Sequence, residues 1–177
     1  MKKALVCGAG GFIGGHMVNR LLDEGYRVTA VDIKPYQDWE QINKGAFNYY
    51  RFDLRSAPRV NRLIRPSGPD SVVDEIYQFA ADMGGAGYIF TGDHDADVMH
   101  NSATINLNIA HALSKLIPKT KVFYSSSACI YPKHNQEDPE NPNCEEGSAY
   151  PADPDSEYGW EKLFSERMWR SYARDYG

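Results

Sequence analysis

Cysteine is scarce in this sequence, and its placement excludes the structures that cysteines usually build. The chain has three cysteines, Cys7, Cys129 and Cys144. An odd number, without the spacing of a metal site or the pattern of a disulfide framework, favours reduced thiols. We therefore expect no disulfide bond and no metal site.

Long apolar runs and an excess of positive charge are also missing. No stretch reaches the roughly 18 apolar residues that a membrane-spanning helix requires. The start "MKKALVCGAGGFIGG" becomes rich in glycine before the apolar part of a signal peptide could form. The net charge of -5 at pH 7 argues against a surface for nucleic acid. We expect a cytoplasmic protein that binds neither membranes nor nucleic acids.

Short apolar segments alternate with amphipathic segments along most of the chain, which predicts alternating strands and helices. This alternation indicates an α/β fold with a doubly wound parallel sheet. A chain of 177 residues suits a single domain, residues 1–177. Gly25 is the expected end of the first helix and Ser156 the expected N-cap of the last. Strands are predicted at 3–8, 27–33, 48–54, 71–80 and 121–126, helices at 11–26, 58–64, 95–117 and 156–177, and a long surface loop at 132–155.

A glycine-rich turn, "CGAGGFIG", joins the first predicted strand to the first helix. Gly8 permits a tight turn, Gly11 lets backbone N–H groups approach a pyrophosphate, and Gly14 allows the helix to pack closely. Asp32 ends the second strand, where its carboxylate can accept hydrogen bonds from both ribose hydroxyls of NAD, although Lys34 leaves NADP open. The segment therefore predicts a dinucleotide site, with a plain connecting turn as the alternative.

Tyr158 and Lys162 stand four residues apart in "YGWEK" and so share one face of a helix. An ammonium group beside a tyrosine favours the phenolate and lowers the pKa of the phenol. Tyr158 can then accept a hydroxyl proton while hydride leaves the same carbon. Ser127, in "SSSAC" after the last predicted strand, can hydrogen-bond the same oxygen at the carboxyl edge of the sheet. These three residues predict oxidation of a hydroxyl group.

Four further residues carry less information. Cys7 is a small residue of the first strand, and we expect it only to pack. Asn101 and Asn108 share a face of the long predicted helix and either brace loops or face solvent. Asp53, after the third strand, either reaches the adenine amino group or is an ordinary turn aspartate.

With these motifs the sequence resembles the extended short-chain dehydrogenase/reductase family, whose members act on nucleotide sugars. The resemblance spans the whole chain and includes "GAGGFIG", the acidic strand end and "AADMGGAGY". It implies an NAD-binding Rossmann domain, NAD as cofactor, a nucleotide-diphosphate sugar as substrate, and a homodimer through helices 95–117 and 156–175. The implied cofactor contacts are Gly8, Gly10, Gly11, Phe12, Ile13, Gly14, Asp32, Asp53, Leu54, Ala80, Ala81, Tyr158 and Lys162. The implied substrate contacts are Gly84, Gly85, Ser127 and Cys129.

Three segments, "AADMGGAGYI", "SSSACIYP" and "YPADPDSEYGWEK", are more similar to one branch of that family, enzymes that epimerise C3 and C5 of GDP-mannose. The likeness to this branch implies that Cys129 is an acid/base facing the sugar carbons, and a nearby cation can lower the pKa of such a thiol. Two alternatives stay open. One is a 4-epimerase or 4,6-dehydratase in which Cys129 only packs, and the other is an NAD-binding module without catalysis.

Family members are about twice as long as this chain, on the scale of domain lengths. The resemblance therefore implies that the C-terminal substrate-binding part is absent from this chain, together with a second acid/base, a lysine beyond Gly177. We expect the chain of 177 residues alone to bind NAD weakly and to turn over slowly.

Overall fold

The computed structural model describes residues 1–41, 48–68, 71–140 and 142–177. Within these ranges, five strands form one parallel sheet: β1 (Lys3–Cys7), β2 (Arg27–Asp32), β3 (Asn48–Arg51), β4 (Glu75–Gln78) and β5 (Lys121–Tyr124). Their order is β3-β2-β1-β4-β5, and all neighbours are parallel. The chain begins in the middle of the sheet and moves outward first one way and then the other. The predicted fold class, a doubly wound sheet of the Rossmann type, is confirmed.

The described part of the chain has five α-helices: α1 (Phe12–Asp23), α2 (Ala57–Ile64), α3 (Ala86–Ile89), α4 (Asp95–Leu116) and α5 (Glu157–Tyr176). Both predicted helix ends are present. Gly25, at φ +79, follows α1, and its N–H donates to the Leu22 carbonyl at 3.0 Å. The Ser156 hydroxyl accepts the Gly159 N–H at 3.2 Å and so caps the start of α5.

β4 is shorter than the predicted strand 71–80, and Ser71 is hydrogen-bonded to Gly68 outside the strand. The Ser71 hydroxyl accepts the Gly68 N–H at 2.9 Å and donates to the Gly68 carbonyl at 2.7 Å. Serine side chains compete with regular structure in this way. Pairing with β1 begins only at Glu75.

The predicted surface loop 132–155 is irregular, and Asn141 lies outside the described residues. Two single turns of 3-10 helix, Lys133–Asn135 and Glu146–Ala149, are the regular parts among those described. The Asn135 amide donates to the Ser148 carbonyl at 3.0 Å, which joins the two turns.

The chain divides into two compact units. The first comprises Met1–Ala81, Thr104–Ser125 and Tyr172–Gly177 and includes all the strands named above. The second comprises Asp82–Ala103 and Ser126–Ser171. The predicted glycine-rich turn belongs to the first unit, and the four predicted catalytic residues belong to the second.

Side chains of β1, β2 and α1 form the core of the first unit. Residues of β1 are buried on both faces, as in a central parallel strand covered by helices. Cys7 is also fully buried, and burial raises its pKa to about 12. It is therefore a neutral thiol that packs, as the sequence predicts. The core cluster consists of Ala4, Val6, Ala9, Val18, Leu21, Val28, Ala30 and Trp39.

Candidate active site

The glycine-rich turn packs the start of α1 closely against the end of β1. Gly8 has φ +78, and a Cβ there would lie 2.7 Å from the Ala80 nitrogen. A Cβ on Gly14 would overlap the Gly8 carbonyl oxygen. Only glycine fits at these two positions, in keeping with the packing role that the motif predicts.

The start of α1 has the features of an anion site. The helix begins at Phe12, and its N-cap Gly11 has no side chain that could accept one of the first N–H groups. The N–H groups of the first turn have no acceptor within the helix, and the helix dipole adds partial positive charge there. A pyrophosphate group fits these donors. The side chains of Phe12 and Ile13 are each 61% exposed, so these residues do not serve the core.

Asp32 lies at the carboxyl end of β2 and is almost fully buried. Its Oδ2 accepts the Gly10 N–H at 2.8 Å, and its Oδ1 accepts the Lys34 N–H at 2.8 Å. Because each carboxylate oxygen has a further lone pair, both can also accept a ribose hydroxyl. The carboxylate therefore fastens the glycine-rich turn and remains suited to the ribose of NAD.

The residues that follow β3 are held by side-chain hydrogen bonds. Arg55 donates to both carboxylate oxygens of Asp53, with Nη2 at 2.8 Å from Oδ2. Hydrogen bonding by Arg55 lowers the pKa of Asp53. The Asn108 amide donates to the carbonyls of Leu54 at 3.1 Å and Arg55 at 2.9 Å. Asn108 therefore braces this loop, and Asp53 already has a cationic partner.

A buried pair of amides fixes the loop after β4. Gln78 is fully buried, and its Nε2 donates to Asn106 Oδ1 at 3.0 Å and to the Ala80 carbonyl at 2.8 Å. Its Oε1 accepts the Ala80 N–H at 3.2 Å. This pair sets the path of the backbone at Ala80 and Ala81, two of the predicted cofactor contacts.

In the second unit, Asp82 braces the loop that carries Gly84 and Gly85. Its Oδ1 accepts the Tyr88 hydroxyl at 3.2 Å, and its Oδ2 accepts the Asn101 amide at 2.6 Å. Asn101 therefore also braces a loop. A Cβ on Gly84 would lie 2.5 Å from the Tyr88 Cβ, whereas one on Gly85 would meet nothing within 4 Å. Packing requires glycine at the first position and not at the second.

Ser127, Cys129, Tyr158 and Lys162 come together in the second unit. Ser127 Oγ accepts the Cys129 N–H at 3.2 Å, and the Ser127 side chain interacts with that of Tyr158. Tyr158 is almost fully buried in an apolar cluster against which Cys129 packs. Lys162 Nζ lies 5.6 Å from the centre of the Tyr158 ring, and the Tyr158 hydroxyl lies 3.9 Å from the Met83 sulfur. The groups needed to bind and deprotonate a hydroxyl are thus neighbours.

The electrostatics at Tyr158 differ from the expectation drawn from the sequence. Burial raises the pKa of Tyr158, and the interaction with the Ser127 side chain lowers it. Burial lowers the pKa of Lys162, while the fully buried Glu161 raises it. The pKa of Tyr158 is therefore raised, not lowered as the sequence predicts, because desolvation disfavours the charged form of each group. The interaction with Ser127 favours the phenolate.

Comparison with known proteins decides the family. Residues 4–177 match the model of the NAD dependent epimerase/dehydratase family. The chain belongs to the NAD-dependent epimerase/dehydratase family. This membership accounts for the Rossmann fold and for NAD as cofactor.

Members of the epimerase/dehydratase family resemble the chain over almost its whole length. It is 35% identical over 177 residues to the GDP-mannose 3,5-epimerase of Arabidopsis thaliana, covering 99% of this chain and 44% of that protein. It is 37% identical over 174 residues to GDP-mannose 3,5-epimerase 1 of Oryza sativa subsp. japonica, covering 97% and 43%. A UDP-glucose 4-epimerase of Thermus thermophilus, solved with NAD, superposes with a TM-score of 0.79 at 25% identity, covering 99% and 52%. The chain therefore spans about half the length of these proteins.

Several residues that support the candidate site could not be assigned from the sequence. Gln78 could have been noticed in the sequence, because an amide side chain inside an apolar strand needs a hydrogen-bond partner. Its partner Asn106 could not have been noticed in this way, nor could Glu161, which is fully buried and accepts the Ser165 hydroxyl. Nothing in the sequence indicated the role of Trp39, although a Cβ added to Gly10 would lie 2.8 Å from its indole ring.

Replacing Gly14 with alanine should weaken NAD binding by about tenfold to a hundredfold, because forcing a methyl group into packed backbone costs about 1–3 kcal/mol. The added Cβ would overlap the Gly8 carbonyl and push α1 away from the turn. Calorimetric titration with NAD measures the effect. Gly68→Ala is the matched control, since a Cβ there meets nothing within 4 Å. Equal NAD affinity in the two variants would contradict this role of Gly14.

No helix in the described ranges is both long enough and apolar enough to cross a membrane. Those ranges also contain no group of three His, Cys, Asp or Glu side chains that could hold a metal ion.

Proposed function

We propose that this protein carries out NAD-dependent epimerisation of a nucleotide sugar, with GDP-mannose as the substrate. One observation carries the proposal: Ser127 accepts the Cys129 N–H, Cys129 packs against the cluster that contains Tyr158, and the Ser127 side chain interacts with that of Tyr158. Serine and tyrosine suit the oxidation of a hydroxyl, and the thiol adds a group that can move a proton on carbon. Likeness to proteins named GDP-mannose 3,5-epimerase supports the choice of sugar.

Ser127 and Tyr158 act on the hydroxyl group at C4 of the sugar. NAD, when bound, accepts hydride from that carbon and later returns it. Ser127 binds the hydroxyl oxygen, and the phenolate of Tyr158 accepts its proton. Lys162, with Nζ 5.6 Å from the ring centre, places a positive charge near this phenolate and so adds to its stabilisation. The products of this step are a ketone at C4 and a neutral Tyr158.

Cys129 exchanges protons on the carbons beside the ketone. A carbonyl at C4 makes the protons on C3 and C5 acidic, and a thiolate suits their removal because its charge needs little solvation. Cys129 works on one face of the sugar, and an acid/base partner on the other face returns the proton with inversion. Ser127 accepts the backbone N–H of Cys129, which couples the position of the thiol to that of the hydroxyl site.

The cofactor is held by residues of the first unit. The N–H groups at the start of α1 would bind the pyrophosphate, Asp32 would accept the two ribose hydroxyls, and Asp53 would accept the adenine amino group. Gln78 positions the loop whose backbone contacts the cofactor. The remaining contacts that we propose are Gly8, Gly10, Gly11, Phe12, Ile13, Gly14, Leu54, Ala80 and Ala81.

The substrate loop and the assembly complete the proposal. Gly84 and Gly85 contact the sugar, since glycines leave room for a close approach of the backbone. Two copies of the chain associate through α4 and α5, and sedimentation equilibrium should give the mass of a dimer. We propose that the protein lies in the cytoplasm, where Cys129 remains a reduced thiol.

Replacing Cys129 with serine should abolish proton exchange at C3 and C5 and leave oxidation at C4 intact, because a serine hydroxyl is far less acidic than a thiol. The chain is incubated with NAD and GDP-mannose in heavy water, and the recovered sugar is examined by mass spectrometry and NMR. The wild-type chain should place deuterium at C3 and C5, at the slow rate expected of the 177 residues alone. The Cys129→Ser variant should place none there.

Cys144→Ser is the matched control, because Cys144 is an exposed thiol and its loss should leave labelling unchanged. Loss of water with label at C5 or C6 would replace the proposal by a dehydratase. Inversion at C4 alone would replace it by a 4-epimerase. Binding of NAD without any change in the sugar would leave a binding module.

A further inference from the structure

Four residues form a closed ring of hydrogen bonds beside the proposed ribose site, here called the Asp32 ring. Asp32 accepts the N–H groups of Gly10 and Lys34, each at 2.8 Å. The Gly10 carbonyl accepts the Glu40 N–H at 3.3 Å. Lys34 Nζ donates to Glu40 Oε1 at 3.0 Å and closes the ring with an ion pair. The ring therefore holds two carboxylates and one ammonium group.

Aromatic side chains hold the Asp32 ring in place. Trp39 is buried, and its indole occupies the space beside Gly10. The Trp39 indole N–H and the Tyr49 hydroxyl both donate to the Lys34 carbonyl at 3.4 Å. The two rings meet edge to face, with centres 5.2 Å apart. The backbone of Lys34 is thus fixed, and its ammonium has a defined neighbour.

We propose that Glu40 is a second determinant of cofactor specificity, acting through Lys34 to exclude NADP. This inference rests on the NAD site proposed above. By pairing with Lys34, Glu40 withholds the ammonium group that a 2′-phosphate would otherwise bind. The 2′-phosphate of NADP then meets the carboxylates of Asp32 and Glu40 together.

The charges decide between the two dinucleotides. NAD presents two ribose hydroxyls, which donate to Asp32 and are indifferent to Glu40. NADP replaces one hydroxyl with a phosphate that carries about 1.5 to 2 negative charges at neutral pH. Lysine is a natural partner for such a group. The side chains of Lys34 and Glu40 are 43% and 47% exposed, so their ion pair is a weak one. Once the Glu40 carboxylate is removed, the Lys34 ammonium group is available to the 2′-phosphate.

The test measures NAD and NADP affinities of the purified chain by calorimetric titration at one low salt concentration. Glu40→Gln should strengthen NADP binding about three- to fivefold, the worth of an exposed ion pair, and leave NAD binding within about twofold. The gain should shrink as salt is added, because salt screens exposed charges. In the double variant Lys34→Gln/Glu40→Gln the gain should vanish.

Glu24→Gln is the matched control, because it removes the same charge from a glutamate paired with Arg20 on α1. It should leave both affinities unchanged. An NADP affinity unaltered by Glu40→Gln, or a gain that survives in the double variant, would overturn the role of Glu40 while leaving the NAD site intact. A wild-type chain that binds neither dinucleotide would overturn the proposed cofactor site itself, and the role of Glu40 with it.

Discussion

Replacing Tyr158 with phenylalanine should slow oxidation at C4 by about 100- to 10,000-fold, the range that a positioned acid/base contributes. The phenylalanine ring keeps the packing against Ile89 and Val98 and its place near Lys162. It cannot accept the proton of the sugar hydroxyl. The rate is measured in a single turnover, with the chain in excess over GDP-mannose, from the near-ultraviolet absorbance of NADH.

Tyr172→Phe is the control for this variant, because Tyr172 lies on the same helix and its ring contacts Tyr176, with centres 5.5 Å apart. It should oxidise GDP-mannose at the wild-type rate. Affinity for NAD should be similar in both variants, which separates a loss of chemistry from a loss of cofactor. A wild-type rate in Tyr158→Phe would remove this tyrosine from the mechanism.

Replacing Gly159 with alanine should lower the free energy of unfolding by about 3 kcal/mol, near the upper part of the range for overpacking. The added Cβ would overlap the Cys129 carbonyl oxygen and lie 2.9 Å from the Pro154 Cβ. Relief requires a backbone shift, because the closest atom belongs to the main chain. We therefore expect the turn that carries Ser127 and Cys129 to move as well. Urea unfolding followed by circular dichroism measures the stability.

Gly147→Ala tests whether this loss is specific to the contact between α5 and Cys129. A Cβ on Gly147 meets nothing within 4 Å, and the residue does not have a positive φ. Its free energy of unfolding should stay within about 0.5 kcal/mol of the wild-type value. Equal losses in Gly147→Ala and Gly159→Ala would show that Gly159 is not constrained by the Cys129 carbonyl.

Much of the sheet could be predicted from local patterns, and the error at β4 shows their limit. Apolar runs correctly indicated β1 and β2, because central parallel strands are buried on both faces. The apolar run from residue 71 also suggested a strand, but Ser71 forms hydrogen bonds with Gly68 and the register with β1 starts at Glu75. A hydrogen bond of this kind depends on a single side chain, so the periodic pattern of apolar residues does not reveal it.

The amino-acid sequence by itself determined the fold class, the glycine-rich turn, and the identity of the residues proposed for the site. These are local properties, since a strand period, a glycine spacing and a four-residue helical spacing can be read from neighbours in the chain. The proposed roles of Ser127, Tyr158 and Lys162 rest on motifs of this kind.

Only the tertiary structure decided how those residues are held and charged. Asn101 and Asn108 brace loops because their partners, Asp82 and Leu54, come from other segments of the chain. The pKa of Tyr158 is raised although Lys162 is near, because burial is a property of the packed protein and opposes the charged form of both groups. Hydrogen bonds between residues far apart in the sequence form only when the chain folds. The same is true of the burial that removes side chains from water.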